Sequence, residues 1–328
     1  MTYSSGGLIQ AADYNTFATN LNAIWSTGTT DSGWGQTTIS SVAATGIVTA
    51  TNWATLVNNL STSGAQTNTA LTARTAPVTG NIIAILTNVA TDITSCTTNR
   101  GNAASSGAEV GYASGTTSKT TATGSGQAAW TITFTHTITF PSAAQARYFW
   151  NAGGRVRLQY GKSSTGTDID PDWNTFAGYP GSLYITGRVN SAAQTIAGVS
   201  YTGTTRIGGT GGTQTTLATT TGWYQLTGTP ATIFQLNNAT SPYTGEYIQT
   251  QATATSTTVL TLTTVWNQPA VATAGTTANI SGGTAPALGA TSIGAATAPT
   301  TLCTFFPPSI AQGLADTWGT PSIAASVV

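Results

Sequence analysis

Thr131–Tyr160 reads TITFTHTITF, PSAAQARYFW, NAGGRVRLQY. The opening segment alternates without a break: Ile132, Phe134, Ile138 and Phe140 point one way, and Thr131, Thr133, Thr135, Thr137 and Thr139 the other. Side chains alternate faces along a strand, so the pattern predicts a strand with one buried and one wetted face. Arg155–Tyr160 alternates as well. Between the two lie Pro141, a run of small residues and the aromatic trio Tyr148, Phe149 and Trp150. Asn151-Ala152-Gly153-Gly154 follows, where two glycines permit a bulge or tight turn. The stretch predicts two long antiparallel strands joined by a structured excursion, at the heart of a β-sandwich-like domain.

The chain around it has 328 residues, 39% of them hydrophobic, enough for a sizeable core. Only 5% are charged, against about a quarter in typical soluble domains. Beyond Arg206 the charges are Glu246 and Asp316 alone. Threonine, alanine, serine and glycine fill the surface instead. A free-standing enzyme keeps a charged surface for solubility; a subunit covered by neighbours needs one less. The composition therefore favours a structural or extracellular protein. Nine basic residues balance nine acidic ones without a basic patch, which argues against nucleic acid as a partner. No apolar run is long enough to predict a membrane span, and the opening MTYSSGGLIQ predicts no export signal. An exterior-looking surface without such a signal fits release by cell lysis. Cys96 and Cys303 lie far apart in sequence and are expected to be buried free thiols, a bridge between them staying open.

The N-terminal part repeats itself. GLIQAADYNTF at Gly7–Phe17 is echoed by GIVTATNWATL at Gly46–Leu56. Tyr14, Phe17, Leu21 and Ile24 fall at helical spacing, as do Trp53, Leu56 and Leu60. Two amphipathic helices are predicted, each after a turn, with these residues packing the pair together or against a partner. A third helical face follows Pro77 at Ile82, Ile85, Leu86, Val89 and Ile93. Farther on, Trp223–Leu226, Thr232–Leu236, Glu246–Ala252 and Thr257–Trp266 read as strands. The expected fold class is α+β, mainly β: a small helical segment, then antiparallel sandwich-like domains. Residues 1–98 form the helical docking or oligomerisation region, 99–127 a linker and 128–205 the central β domain. Residues 206–270 form a second β region, and 271–328 an Ala/Thr/Gly/Pro-rich arm anchored by Phe305-Phe306-Pro307-Pro308.

Three parts of the chain resemble structural proteins of tailed bacteriophages, the components of tails, necks, baseplates and fibres. They are GLIQAADYN with its copy, ITFPSAAQARYFWNAGGRVRL, and the pair TGEYIQTQATA and TTVLTLTTVW. The resemblance covers about two thirds of the chain, the middle block being the most specific. It implies a virion subunit, assembled in the host cytoplasm and exposed on the particle exterior. Its partners would be copies of itself, as a homotrimer or other ring, and other virion proteins. It carries over no catalytic residue. A receptor-binding tip that holds a host surface glycan and a capsid decoration protein stay open beside this reading.

Candidate sites for chemistry are few. His136 faces inward between Phe134 and Ile138 and is expected to be a core residue. With no nucleophile or carboxylate beside it in sequence, it predicts no general base. One His and two distant Cys do not make a metal site. Asp168-Ile169-Asp170-Pro171-Asp172 has the alternate spacing that opens a calcium loop. Trp173 stands where the glycine belongs and Tyr179 where the bidentate Glu belongs, so a solvated turn or an ion pair with Arg155, Arg157 or Lys162 is expected. Gly208–Gly212 lacks the Lys-Ser/Thr of a phosphate loop and reads as a turn. No enzyme, cofactor or metal is expected. Trp150, Trp173, Tyr179 and Tyr184 are the aromatics that could stack on a sugar, with packing in the core or against another subunit the expectation for each.

Overall fold

The computed structural model describes residues 10–79, 88–113, 119–120, 130–162, 169–187, 192–239, 244–269, 292–293 and 299–328. The repeated segments form helices α1 (Ala11–Trp25) and α2 (Ala50–Thr67), and α3 (Val89–Thr98) follows. Thr49 caps α2, accepting from the Asn52 amide while the Asn52 side chain accepts from the Thr49 amide. Tyr14, Phe17, Leu21, Trp53, Leu56 and Leu60 are all buried inside the chain. Tyr14 meets Trp53 edge-on at 5.4 Å, and Phe17 lies 6.1 Å from the same indole. The stripes pack against each other. Of the third predicted face, Val89 and Ile93 are buried on α3; Ile82, Ile85 and Leu86 lie outside the described residues.

The described chain then runs β1 (Val110–Ala113), β2 (Lys119–Thr120), β3 (Trp130–Thr139), α4 (Ala143–Asn151), β4 (Arg155–Gly161), α5 (Ile169–Gly178) and β5 (Ser182–Thr186). A hairpin β6 (Gln194–Ile196) and β7 (Val199–Tyr201) leads to β8 (Thr204–Ile207) and β9 (Thr213–Leu217). Then come β10 (Ala231–Asn237), β11 (Tyr247–Ser256), β12 (Val259–Gln268), β13 (Ser292–Ile293), β14 (Thr300–Phe306) and β15 (Ser322–Val327). One antiparallel sheet has the order β1-β14-β4-β5-β8, the other β15-β3-β12-β11-β10-β9. Mainly-β α+β is therefore the fold class.

The Thr131–Tyr160 stretch is strand, excursion, strand, but its two strands do not pair with each other. β3 pairs with β12 and β15, and β4 pairs with β14 and β5. The excursion is α4, which carries the chain from one sheet to the other. Pro141 cannot continue the ladder, Ser142 caps the helix by accepting from the Gln145 amide, and Ala143-Ala144-Gln145-Ala146 favour the helical state. Glycine resumes at Gly153, whose φ of +99° suits no β-carbon.

The inner faces of the two sheets meet. Tyr160 of β4 stacks on Phe234 of β10 at 6.2 Å, and its hydroxyl lies 2.9 Å from that of Thr250 on β11. At one end Phe140, Phe149, Trp150 and Trp223 form an aromatic cluster. At the other Trp173 of α5 stacks on Trp266 at 5.4 Å. One continuous core joins helices and sheets. Polar bonds reinforce the join: the Trp34 indole donates to the Asn151 carbonyl at 3.1 Å, and the Gln66 amide to that of Ala152 at 3.0 Å.

Strand pairing cuts across the composition breaks at 127, 205 and 270. β12 from 206–270 lies beside β3, and β14 from the predicted arm lies between β1 and β4 inside the five-stranded sheet. Val110–Ala113, inside the predicted linker, is that sheet's edge. Composition breaks mark loops, whereas long-range pairing decides which strands share a core. Two local readings also change. Trp223–Gln225 is a short 3-10 turn rather than a strand, and Asp170-Pro171-Asp172 lies inside α5 rather than in a turn.

Candidate assembly surface and cationic cleft

The six-stranded sheet carries no Asp, Glu, Lys or Arg on any strand. Its outer face is built mainly of cross-strand rows of hydroxyls and amides, with Val259, Val265 and Ala324 among them. Ser326, Thr135, Thr263 and Gln251 stand in register across four strands. Ala324, Thr137, Thr261 and Thr253 form the next row. Short side chains with hydrogen-bonding tips and no charge make a face that a neighbour can cover without desolvating an ion.

The β15 margin of this sheet is open among the described residues. Val328 and Thr133 exchange both backbone hydrogen bonds, each 2.9 Å. In an antiparallel ladder such pairs alternate with pairs whose N–H and C=O point away. Counting back along the register, Ser326, Ala324 and Ser322 bond inward to β3, and Ile323, Ala325 and Val327 direct their backbone groups outward. No lysine, bulge or internal proline guards this edge.

A cleft of about 470 Å³ opens beside α4. Its lining comes from four separate segments: Thr30; Ala143 and Arg147; Trp223, Tyr224 and Leu226; and Ala254, Ser256 and Thr257. Trp223 is held by stacking on Trp150 at 5.6 Å, and the Tyr224 hydroxyl donates to Asn151 Oδ1 at 2.7 Å. Burial pushes the Tyr224 phenol far up, with the Asp31 charge adding to it. Among the described residues Arg147 is the one charged lining residue. Its Cζ lies 5.3 Å from the centre of the Tyr148 ring, and its Nε is buried without a hydrogen-bond partner. No described carboxylate pairs with it; nearby Asp31 is held by Arg100 at 3.0 Å.

The aromatics singled out from the sequence do not share a site. Trp173 is fully buried, and its indole donates to Gln268 Oε1 at 2.8 Å, so it meets no external sugar. Trp150 is equally buried. Tyr179 is half-buried, edge-on to Phe176 at 6.1 Å. Tyr184 is half-buried on the other side of the five-stranded sheet, edge-on to Tyr201 at 5.4 Å under the β6–β7 hairpin. The cleft's own aromatics, Trp223 and Tyr224, read as strand residues in the sequence; their adjacency was the one signal that could have marked them.

The acidic cluster is not solvated. Asp172 is buried, and Asn238 Nδ2 bridges its Oδ2 at 2.7 Å to Glu246 Oε2 at 2.9 Å. Burial first, then the hydrogen bond and charge of Asp172, pushes Glu246 up to about 10. Asp172 is raised too, by burial. The arginines expected beside the cluster are elsewhere: Arg157 pairs with Glu109, and Arg155 stacks on Phe306 at 4.4 Å. His136 lies between the sheets, fully buried, its pKa pushed down to about 4 by burial against the opposing pull of the Thr301 backbone. Cys96 and Cys303 are free and buried, their thiols raised by burial to about 11 and about 12. Among the described residues no group of three or more His, Cys, Asp or Glu could hold a metal, and no helix is long and apolar enough to cross a membrane. Comparison with protein-family models, curated proteins and solved structures returned no match.

Proposed function

We propose that the chain is a non-enzymatic structural subunit of a tailed-phage virion, in a tail, neck or baseplate appendage, working by assembly with copies of itself and other virion proteins. The observation that carries this reading is the charge-free outer face of the six-stranded sheet, ending in the unguarded β15 edge. Backbone groups at an open edge gain partners when another strand is added. A trimeric ring needs two different surfaces to meet at each contact. The β15 edge of one sheet and the β1 edge of the other are two such surfaces. The resemblance of the ITFPSAAQARYFWNAGGRVRL block to phage structural proteins adds the particle context.

Immunogold labelling of intact particles tests it. Label on the tail, neck or baseplate supports the reading. Label on the capsid shell alone, or none on the particle, overturns it.

A further inference from the structure

We propose that the cleft beside α4 binds a carboxylate-bearing pyranose, a hexuronate or sialate residue of an acidic glycan. The inference goes beyond the assembly reading and stands without it. A pyranose offers an apolar C–H face, a hydroxyl-studded edge and, in these acids, one carboxylate. The cleft offers a counterpart to each. Tyr224 and Leu226, backed by the buried Trp223, supply an apolar wall. Rings of this kind present a negative face to the weakly positive C–H bonds of a sugar. Thr30, Ser256 and Thr257, all exposed, place three hydroxyls at the mouth.

Arg147 decides the charge of the ligand. Among the described residues it is the only ionic one in the lining, and no described carboxylate pairs with it. Its planar guanidinium matches a carboxylate through two parallel hydrogen bonds. A neutral sugar would leave that cation without a counter-charge in a largely apolar cleft. A flat aromatic acid would satisfy the arginine but leave the hydroxyls of Thr30 and Thr257 unused. The cleft volume, about 470 Å³, lies in the lower part of the range for small-ligand sites, roughly 300–1,000 Å³, and suits one or two sugar residues. The wall is already fixed by the Trp150 stack and the Asn151 hydrogen bond, so little ordering is needed on binding.

Tryptophan fluorescence and NMR titration of the full chain test this, with sialyllactose and digalacturonate as probes and lactose and benzoate as controls. Both acidic sugars should bind, and lactose and benzoate should give no response at the same concentrations. Arg147→Gln should weaken binding about tenfold or more, the loss of one charge-assisted contact. Thr257→Trp, which fills the mouth without changing charge, should abolish it. Both variants should melt with the parent, since neither side chain makes a described hydrogen bond or ion pair. Silence from both acidic sugars overturns the proposal. So does Arg147→Gln binding with parental affinity, lactose matching the acids, or benzoate binding as tightly as they do.

Discussion

Replacing Glu246 by glutamine should stabilise the protein above neutral pH and remove most of its alkaline sensitivity. The buried carboxyl has a folded pKa near 10 against an ordinary value of 4.5, so the fold holds it protonated across the neutral range. Unfolding releases that proton, and the folded state therefore loses stability as pH rises from 4.5 towards 10. The slope is about 1.4 kcal/mol per pH unit, or about 2.7 kcal/mol between pH 6.5 and 8.5. His136 works in the opposite sense: its folded pKa of about 4 against 6.5 means that stability is lost as pH falls from 6.5 to 4. Between pH 4.5 and 6.5 the two slopes oppose each other, so the dependence on pH is weaker there than above 6.5. The raised Cys96 and Cys303 thiols add alkaline loss only as pH approaches their ordinary value of 9, so pH 6.5–8.5 isolates the carboxyl pair. The substituted side chain would keep an acceptor for Asn238 and offer Asp172 an amide donor. Urea unfolding of the parent and Glu246→Gln at pH 5.5, 6.5, 7.5 and 8.5 reads the effect. A parent whose stability is flat or rising from pH 6.5 to 8.5, or a variant with the parental slope, refutes the reasoning.

Four further outcomes follow from the same structure. Trp173→Ala removes a fully buried indole and its hydrogen bond to Gln268, and should cost about 3–5 kcal/mol in urea unfolding; a loss under about 1 kcal/mol would place Trp173 outside the core. Ala325→Pro removes an outward-facing N–H, so it should melt with the parent at dilutions where both are single subunits, while lowering the assembled fraction in sedimentation at higher concentration. Ala324→Pro breaks the ladder to β3 and should lower the melting temperature itself. Because the assembly face carries no ions, the assembled fraction should barely change between low and high salt; a large drop in sedimenting mass at high salt would contradict that.

Local alternation was readable wherever one face is buried and the other wet. Thr131–Phe140 is the clearest case, and the inward place of His136 came with it. The helical stripes at Tyr14–Ile24 and Trp53–Leu60 were equally plain, because each pairs with the other nearby in sequence. What stayed hidden depends on distance along the chain. β3 and β4 look like partners because they are neighbours, yet the small residues after Ser142 fold as a helix and deliver β4 to the other sheet. The Asp-Pro-Asp run looked solvated because its partners, Asn238 and Glu246, lie far downstream. Trp173 looked available for the same reason: its partners Trp266 and Gln268 come from β12. The cleft was illegible altogether, since its lining is gathered from four segments and Arg147 is marked only by the absence of a described carboxylate beside it.

Multi-angle light scattering of the purified chain, beside its Ala325→Pro variant, tests the central claim most directly. The parent should elute at a multiple of its 33.2 kDa subunit mass, three being the expected number, and the variant should shift towards a single subunit with its fold intact. A parent that stays at one subunit mass at every concentration would contradict the account.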